Sequence, residues 1–160
     1  MKNEILAILE KDGRLTAEKI AVMLGIDEKE VAAAIAELEE EKIILGYKAI
    51  VNWELAGRET TMANIELKLT PQRGGGFDTV AERIYRFPQV KAVTLMSGAY
   101  DLLVTVEGKS LKEVAMFVSE RLAPMESVVS TATHFELKTY KREGMIFDEK
   151  ETDNREVLGI

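Results

Sequence analysis

The sequence predicts an α+β chain in two parts: an N-terminal helix-turn-helix, then an antiparallel sheet whose elements follow the order β-α-β-β-α-β. Three observations carry that reading. Up to residue 42, apolar side chains recur at spacings of three and four, the period of helices that bury one face. From about residue 60 the period drops to two in several runs, with capped helical runs between them. The composition suits a folding chain, since 160 residues at 46% hydrophobic and 31% charged supply enough apolar surface for a core. Because the chain has no cysteine, it can form neither a disulfide framework nor a thiolate metal site.

The first helix runs from Asn3 to Lys11, with Ile5, Leu6, Ile8 and Leu9 on one stripe, and Asp12-Gly13 stops it. Thr16 caps a second helix in which Ile20, Ala21 and Leu24 share a face, and Gly25 supplies a turn at positive φ. Asp27 opens a third, with Glu30 as its capping-box partner and Val31, Ile35 and Leu38 as its buried seam. Two helices joined through Gly25-Ile26-Asp27 make a helix-turn-helix, although three amphipathic helices around a glycine turn also occur in bundles that never meet DNA. Residues 42–51 read as a strand leading to a second unit.

In that unit Ile65, Leu67 and Leu69 alternate with Asn64, Glu66 and Lys68, a half-buried strand that ends in the loop 70–76. Phe77, Val80, Ala81 and Ile84 lie on one helical face up to Phe87-Pro88. Strands over 90–97 and 100–107 are joined by a tight Gly98-Ala99 turn, which implies a hairpin. Ser110 and Glu113 form a capping box for a helix carrying Leu111, Val114, Val118 and Leu122 inward. Val129, Thr131, Thr133, Phe135 and Leu137 alternate along a last strand. This is the ferredoxin-like arrangement, with both helices on one face of the sheet. The other face lacks cover, so two copies are expected to pair across a twofold axis.

The ordered set Asp12-Gly13-Arg14, Leu24-Gly25-Ile26, Leu38 through Ile44, Gly46-Tyr47 and Gly98-Ala99-Tyr100-Asp101 resembles the Lrp/AsnC, or feast/famine, regulators over about residues 3–141. The resemblance implies a transcription regulator. Its N-terminal domain is for DNA, and its C-terminal domain dimerises, often builds octamers, and binds amino acids between dimers. The domains expected are 1–42 for DNA, 43–58 as linker, 59–141 for effector and assembly, and 142–160 as an acidic extension that adds an edge strand or docks on a neighbouring subunit. Carried over residue by residue, the effector set is Gly98, Tyr100 and Asp101, joined by hydroxyls from Thr131 and Thr133 on the long strand. An amino acid brings an ammonium that needs a carboxylate, which Asp101 supplies. The plainer alternative makes Gly98-Ala99 a simple turn and Asp101 a strand-start residue. The DNA-binding set is Arg14, Thr16, Lys19 and Lys29, with Ala32, Ala33 and Ala36 on the helix for the major groove.

That helix departs from the family, whose members often place arginine where this chain has Ala34 and Glu37. Residues 1–54 hold seven basic and twelve acidic side chains, so most of the formal net charge of -7 lies in the domain expected to read DNA. Duplex DNA favours Lys and Arg, and a base contact contributes roughly 1–3 kcal/mol. The alternative is therefore a small-molecule sensing or oligomerisation protein whose acidic helix-turn-helix no longer reads DNA. An enzyme resembling sirohaem decarboxylases is a weaker alternative, because the chain has one histidine, His134. No Ser/His/Asp set, P-loop or metal ligand set can be assembled, and no cofactor is expected. No apolar run suits a signal core or membrane span, so a cytoplasmic protein is expected.

Overall fold

The computed structural model describes residues 1–70 and 74–147 and divides the chain into two units, Met1–Val51 and Asn52–Ile160. The first unit comprises helices α1 (Lys2–Lys11), α2 (Ala17–Leu24) and α3 (Glu28–Glu40). Thr16 Oγ1 accepts the Lys19 N–H at 3.4 Å and Asp27 Oδ1 accepts the Lys29 N–H at 2.8 Å, each satisfying a donor that a helix start leaves open. The return bond expected from Glu30 is not among the described hydrogen bonds. Gly25 sits at φ 69, left-handed backbone that favours glycine, and its N–H closes α2 on the Ala21 carbonyl at 2.8 Å. Ile5, Leu9, Ile20, Ala21, Val31 and Ala34 form the core between the helices.

The strand expected over 42–51 does not form. Lys42 turns to φ 58, and the N–H groups of Ile43 and Ile44 fold back onto the Leu38 carbonyl at 2.9 and 3.0 Å, finishing α3. A strand needs a neighbour to take its backbone groups, and among the described residues this unit contains none.

The second unit is built from β1 (Thr61–Leu69), α4 (Asp78–Ile84), β2 (Val90–Leu95), β3 (Leu102–Gly108), α5 (Leu111–Phe117) and β4 (Val128–Phe135). The sheet order is β2-β3-β1-β4 with every pair antiparallel, the ferredoxin-like topology. Register sets the core. Ala63, Ile65 and Leu67 of β1 stand opposite Val106, Val104 and Leu102 on one side and Phe135, Thr133 and Thr131 on the other, so all point to one face. Val80 and Ile84 of α4, with Val114 and Phe117 of α5, cover that face. Each fully buried aliphatic side chain there contributes about 1.5–3 kcal/mol.

One inward assignment is corrected, and the two ends of the last strand's alternation fall away from the core. Leu111, the first residue of α5, is exposed, whereas Phe117 joins Val114 inward, and the π-helical turn over Val118–Leu122 keeps both Val118 and Leu122 facing the sheet. Val129 and Leu137 also face outward. Val129 is the extra residue where β4 bulges against Lys68 and Leu69, so Val128 turns toward the core instead, and β4 ends at Phe135 before reaching Leu137.

Within the extension, residues 141–146 form a hairpin of their own, β5 (Lys141–Arg142) with β6 (Met145–Ile146), rather than an edge strand of the sheet. Glu143 and Gly144 turn it at φ 47 and 83, and Arg142 Nη2 anchors it by donating to Glu136 Oε2 at 2.6 Å. Residues 148–160, most of the expected acidic extension, lie outside the described residues.

Candidate functional site

Each unit presents one candidate surface. On α3, burial of Val31, Ala34 and Leu38 leaves Lys29, Ala32, Ala33 and Ala36 on the exposed side at helical spacing. Ala34, where an arginine would be expected in the family, is only 3% exposed and belongs to the core, so a side chain there cannot read DNA. Glu37 is exposed but ion-paired to Lys2 at 3.0 Å. Glu39 Oε1 accepts the Tyr47 hydroxyl at 3.0 Å. Burial first, and then this bond, push the Tyr47 phenol above its ordinary pKa. Its ring stands over Gly13, where an added Cβ would meet Tyr47 Cδ1 at 3.1 Å.

The other expected DNA contacts differ in what already partners them. Arg14 donates from Nε and Nη2 to the two carboxylate oxygens of Asp12 at 3.0 and 3.1 Å, while its side chain stays 91% exposed to solvent. Those hydrogen bonds hold the Asp12 carboxyl below its usual value and the Arg14 guanidinium above its own. The Thr16 hydroxyl is spent on capping α2, while Lys19 and Lys29 project from the surface.

The second surface is the β2–β3 connection. Met96 N–H donates to the Asp101 carbonyl at 2.8 Å, giving a longer loop than the two-residue turn expected, and Gly98 within it adopts φ 137. Asp101 is half-buried. Its N–H donates to the Leu67 carbonyl at 2.9 Å, and its Oδ2 accepts the Leu69 N–H at 2.7 Å, tying the loop to the end of β1. Gly98, Tyr100 and Asp101 therefore share one loop. Thr131 and Thr133 do not join them: they stand opposite Leu67 and Ile65 on β4, with β1 between them and β3. Two strand spacings separate β4 from β3 by about 10 Å, and both threonines lie half-buried on the helix-covered side.

Two features were missed in the sequence. The uncovered sheet face carries a polar network in which Thr105 Oγ1 donates to Asn64 Oδ1 at 2.9 Å and Asn64 Nδ2 donates to Glu136 Oε1 at 3.2 Å. His134 meets Glu66 beside it at 3.3 Å. The alternation of Asn64, Glu66 and His134 hinted at such a face, but the pairing depends on register. The second is a cleft of about 390 Å³ lined by Gln89, Lys112, Met116 and Arg121, far from Gly98 along the β2–β3 hairpin. No periodic signal marks it.

A family model of the Lrp/AsnC ligand binding domain matches residues 62–146, and one of the winged helix-turn-helix DNA-binding domain matches residues 2–44. The chain is 49% identical over 158 residues to YugG, an uncharacterized HTH-type transcriptional regulator of Bacillus subtilis, spanning 98% of this chain and 95% of that protein. Among solved structures, a transcriptional regulator of Neisseria meningitidis in complex with L-methionine matches with a TM-score of 0.72 at 20% identity, over 88% of this chain and 90% of that one. A feast or famine regulatory protein of Mycobacterium tuberculosis, complexed with L-methionine, matches with a TM-score of 0.72 at 20% identity, over 91% of this chain and 96% of that one. Those structures support the architecture, and the relative from Bacillus, with the two matched domains, extends the agreement along the sequence. With a helix-turn-helix in its first unit and the β2-β3-β1-β4 sheet in its second, the chain belongs to the Lrp/AsnC family of helix-turn-helix transcriptional regulators.

Proposed function

We propose that the chain is a ligand-responsive regulator that contacts operator DNA through α3, takes an amino acid or related small effector near Gly98, Tyr100 and Asp101 between subunits, and acts as a homodimer or an octamer of such dimers. The observation that carries this reading is the division of α3 into a core-anchored side, Val31, Ala34 and Leu38, and an outward strip, Lys29, Ala32, Ala33 and Ala36. One side fixes the helix, and the other is offered to a groove. Pairing of uncovered sheet faces gives two such helices, which multiplies the affinity of a module that is weak alone. No catalytic residue, metal or cofactor enters this proposal. The single imidazole, His134, is 60% exposed beside Glu66, which gives a sirohaem-decarboxylase-like reaction no support. No helix among the described residues is long and apolar enough to cross a membrane, and the proposed site of action is the cytoplasm, where operator DNA lies.

Fluorescence anisotropy with DNA from upstream of its own gene, at two salt concentrations, tests the DNA arm. Sequence-selective binding with a steep salt slope is expected, because each displaced phosphate counterion adds about 0.9 to that slope. A thermal-shift screen of free amino acids tests the effector arm, since a ligand of the native state raises the midpoint. Size-exclusion chromatography with light scattering tests assembly, and a stable monomer at micromolar concentration would refute the dimer. A second reading, a sensor that no longer binds DNA specifically, is favoured by exposed Glu28, Glu30 and Glu40 on α3; salt-insensitive or unselective anisotropy supports it.

A further inference from the structure

The cleft of about 390 Å³ beside α5 lies outside both surfaces assigned to DNA and effector, and its walls have a chemistry of their own. One wall is α5 with its π-helical continuation, which presents Lys112, Met116 and Phe117 and then Glu120 and Arg121; facing it is Gln89, in the turn before β2. On an unbroken α-helix, at about 100° per residue, Arg121 would point about 180° away from Lys112. The wider turn, closed by the Ala123 N–H on the Val118 carbonyl at 2.8 Å, absorbs one residue and returns Arg121 to the cleft. Phe87 stacks edge-on against Phe117 with ring centroids 5.4 Å apart, which sets the Gln89 turn beside Phe117 and, one helical turn on, Arg121.

Among the described residues, the side chains of Lys112, Glu120 and Arg121 have no hydrogen-bond or ion-pair partner. Glu113 is committed elsewhere, since its Oε2 accepts the Lys109 N–H at 2.7 Å as the return bond of the α5 cap. Two free cations against one free carboxylate favour a monoanion over a zwitterion. Gln89 Oε1 is buried without a partner among the described residues, so turning this amide into the cleft breaks no bond of that oxygen. Met116, 45% exposed, and the edge of Phe117 give an apolar floor. We propose that the cleft binds a short aliphatic carboxylate, with the carboxylate on the Arg121 guanidinium and the turned Gln89 amide and the hydrocarbon on Met116 and Phe117. Arg121 offers the planar fork that matches a carboxylate, and Lys112 adds attraction from the other end of the wall. The site is separate from the Gly98–Asp101 loop and gives the chain a second small-molecule input.

A methyl NMR spectrum of the full chain, labelled at its seven methionines, tests this with a probe at each surface, because Met116 lines the cleft and Met96 borders the Gly98 loop. Met116→Leu and Met96→Leu assign the two signals. Isovalerate should shift the Met116 methyl saturably and leave Met96 in place. Isovaleramide, the same body without the charge, should bind at least about fivefold more weakly. Arg121→Gln, shown to be folded by circular dichroism, should weaken isovalerate by a similar factor, and Lys11→Gln, on exposed α1 surface, should leave it unchanged. L-valine, which is isovalerate with an added ammonium, should shift Met116 only at higher concentration. No saturable shift of Met116 with isovalerate, an equal affinity for isovaleramide, or an undiminished affinity in Arg121→Gln overturns the site. Tighter binding of L-valine than of isovalerate at Met116 overturns the monoanion. A shift confined to Met96 overturns the cleft while supporting a ligand at the loop, so the two sites stand or fall separately.

Discussion

Replacing Asp101 by Ala removes the acceptor of the Leu69 N–H, a 2.7 Å bond at the point where β4 bulges against β1. Leu69 is 4% exposed, so its amide has no water to turn to. A hydrogen bond to a carboxylate contributes about 1.5–3 kcal/mol, and an orphaned buried donor costs about 1–3 kcal/mol; these describe one loss, of about 2 kcal/mol or more. The bonds of the Asp101 backbone, to Leu67 and from Met96, survive the change. For a unit of this size each kcal/mol moves the Tm by about 4–8 °C, so D101A should melt about 8–16 °C lower. D101N keeps an oxygen acceptor and should recover at least half of that. The assay is a thermal melt of the full chain followed by the fluorescence of Trp53, the sole tryptophan, which lies in the second unit. If D101A melts within about 2 °C of the parent, or D101N is no better than D101A, the reasoning fails. The same pair separates folding from function: a carboxylate that binds an ammonium predicts that D101N stays folded yet ignores the effector.

Gly25→Ala forces a side chain into φ 69 and should cost the first unit about 1–2 kcal/mol, read by far-UV circular dichroism, with the Trp53 transition unmoved. Tyr47→Phe should remove a pH dependence. Because the folded state raises the phenol pKa above its ordinary value near 10.0, the stability it contributes is complete below that pH and is lost as pH rises through the higher folded value. Urea melts between about pH 9 and 11 should show this fall in the parent and not in Y47F. Arg142→Ala should release the β5–β6 hairpin from Glu136 and Thr139, costing about 1 kcal/mol and speeding tryptic cleavage after Lys141 about fivefold.

The alternations around Ile65 and Phe135 and the caps at Thr16, Asp27 and Ser110 were legible because each depends on residues within one turn or one strand. Ser110 Oγ does accept the Glu113 N–H at 3.2 Å, and Glu113 Oε2 accepts the Lys109 N–H at 2.7 Å. What sequence could not supply was register. Thr131 and Asp101 look like neighbours until β1 is found between their strands, and Val129 reads as inward until the bulge at Leu69 claims it as the extra residue. The linker failed for a related reason: Ile43, Leu45 and Tyr47 have a strand-like alternation, but pairing is not a local property. The same limit hid the burial of Ala34 on α3 and the pairing of Arg14 with Asp12 between α1 and α2, which depend on packing and on side-chain geometry.

The π-helical turn also bears on how this chain tolerates changes in length. The Ala123 N–H reaches back five residues to the Val118 carbonyl at 2.8 Å, around exposed Ser119, Glu120 and Arg121. Deleting any one of those three turns the same donor and acceptor into partners four apart, the ordinary α-helical spacing, with Val118 and Leu122 still facing the sheet. A deletion between Leu111 and Phe117 has no such slack and rotates everything after it by about 100°. Homologous chains one residue shorter are therefore expected to have their gap within 119–121.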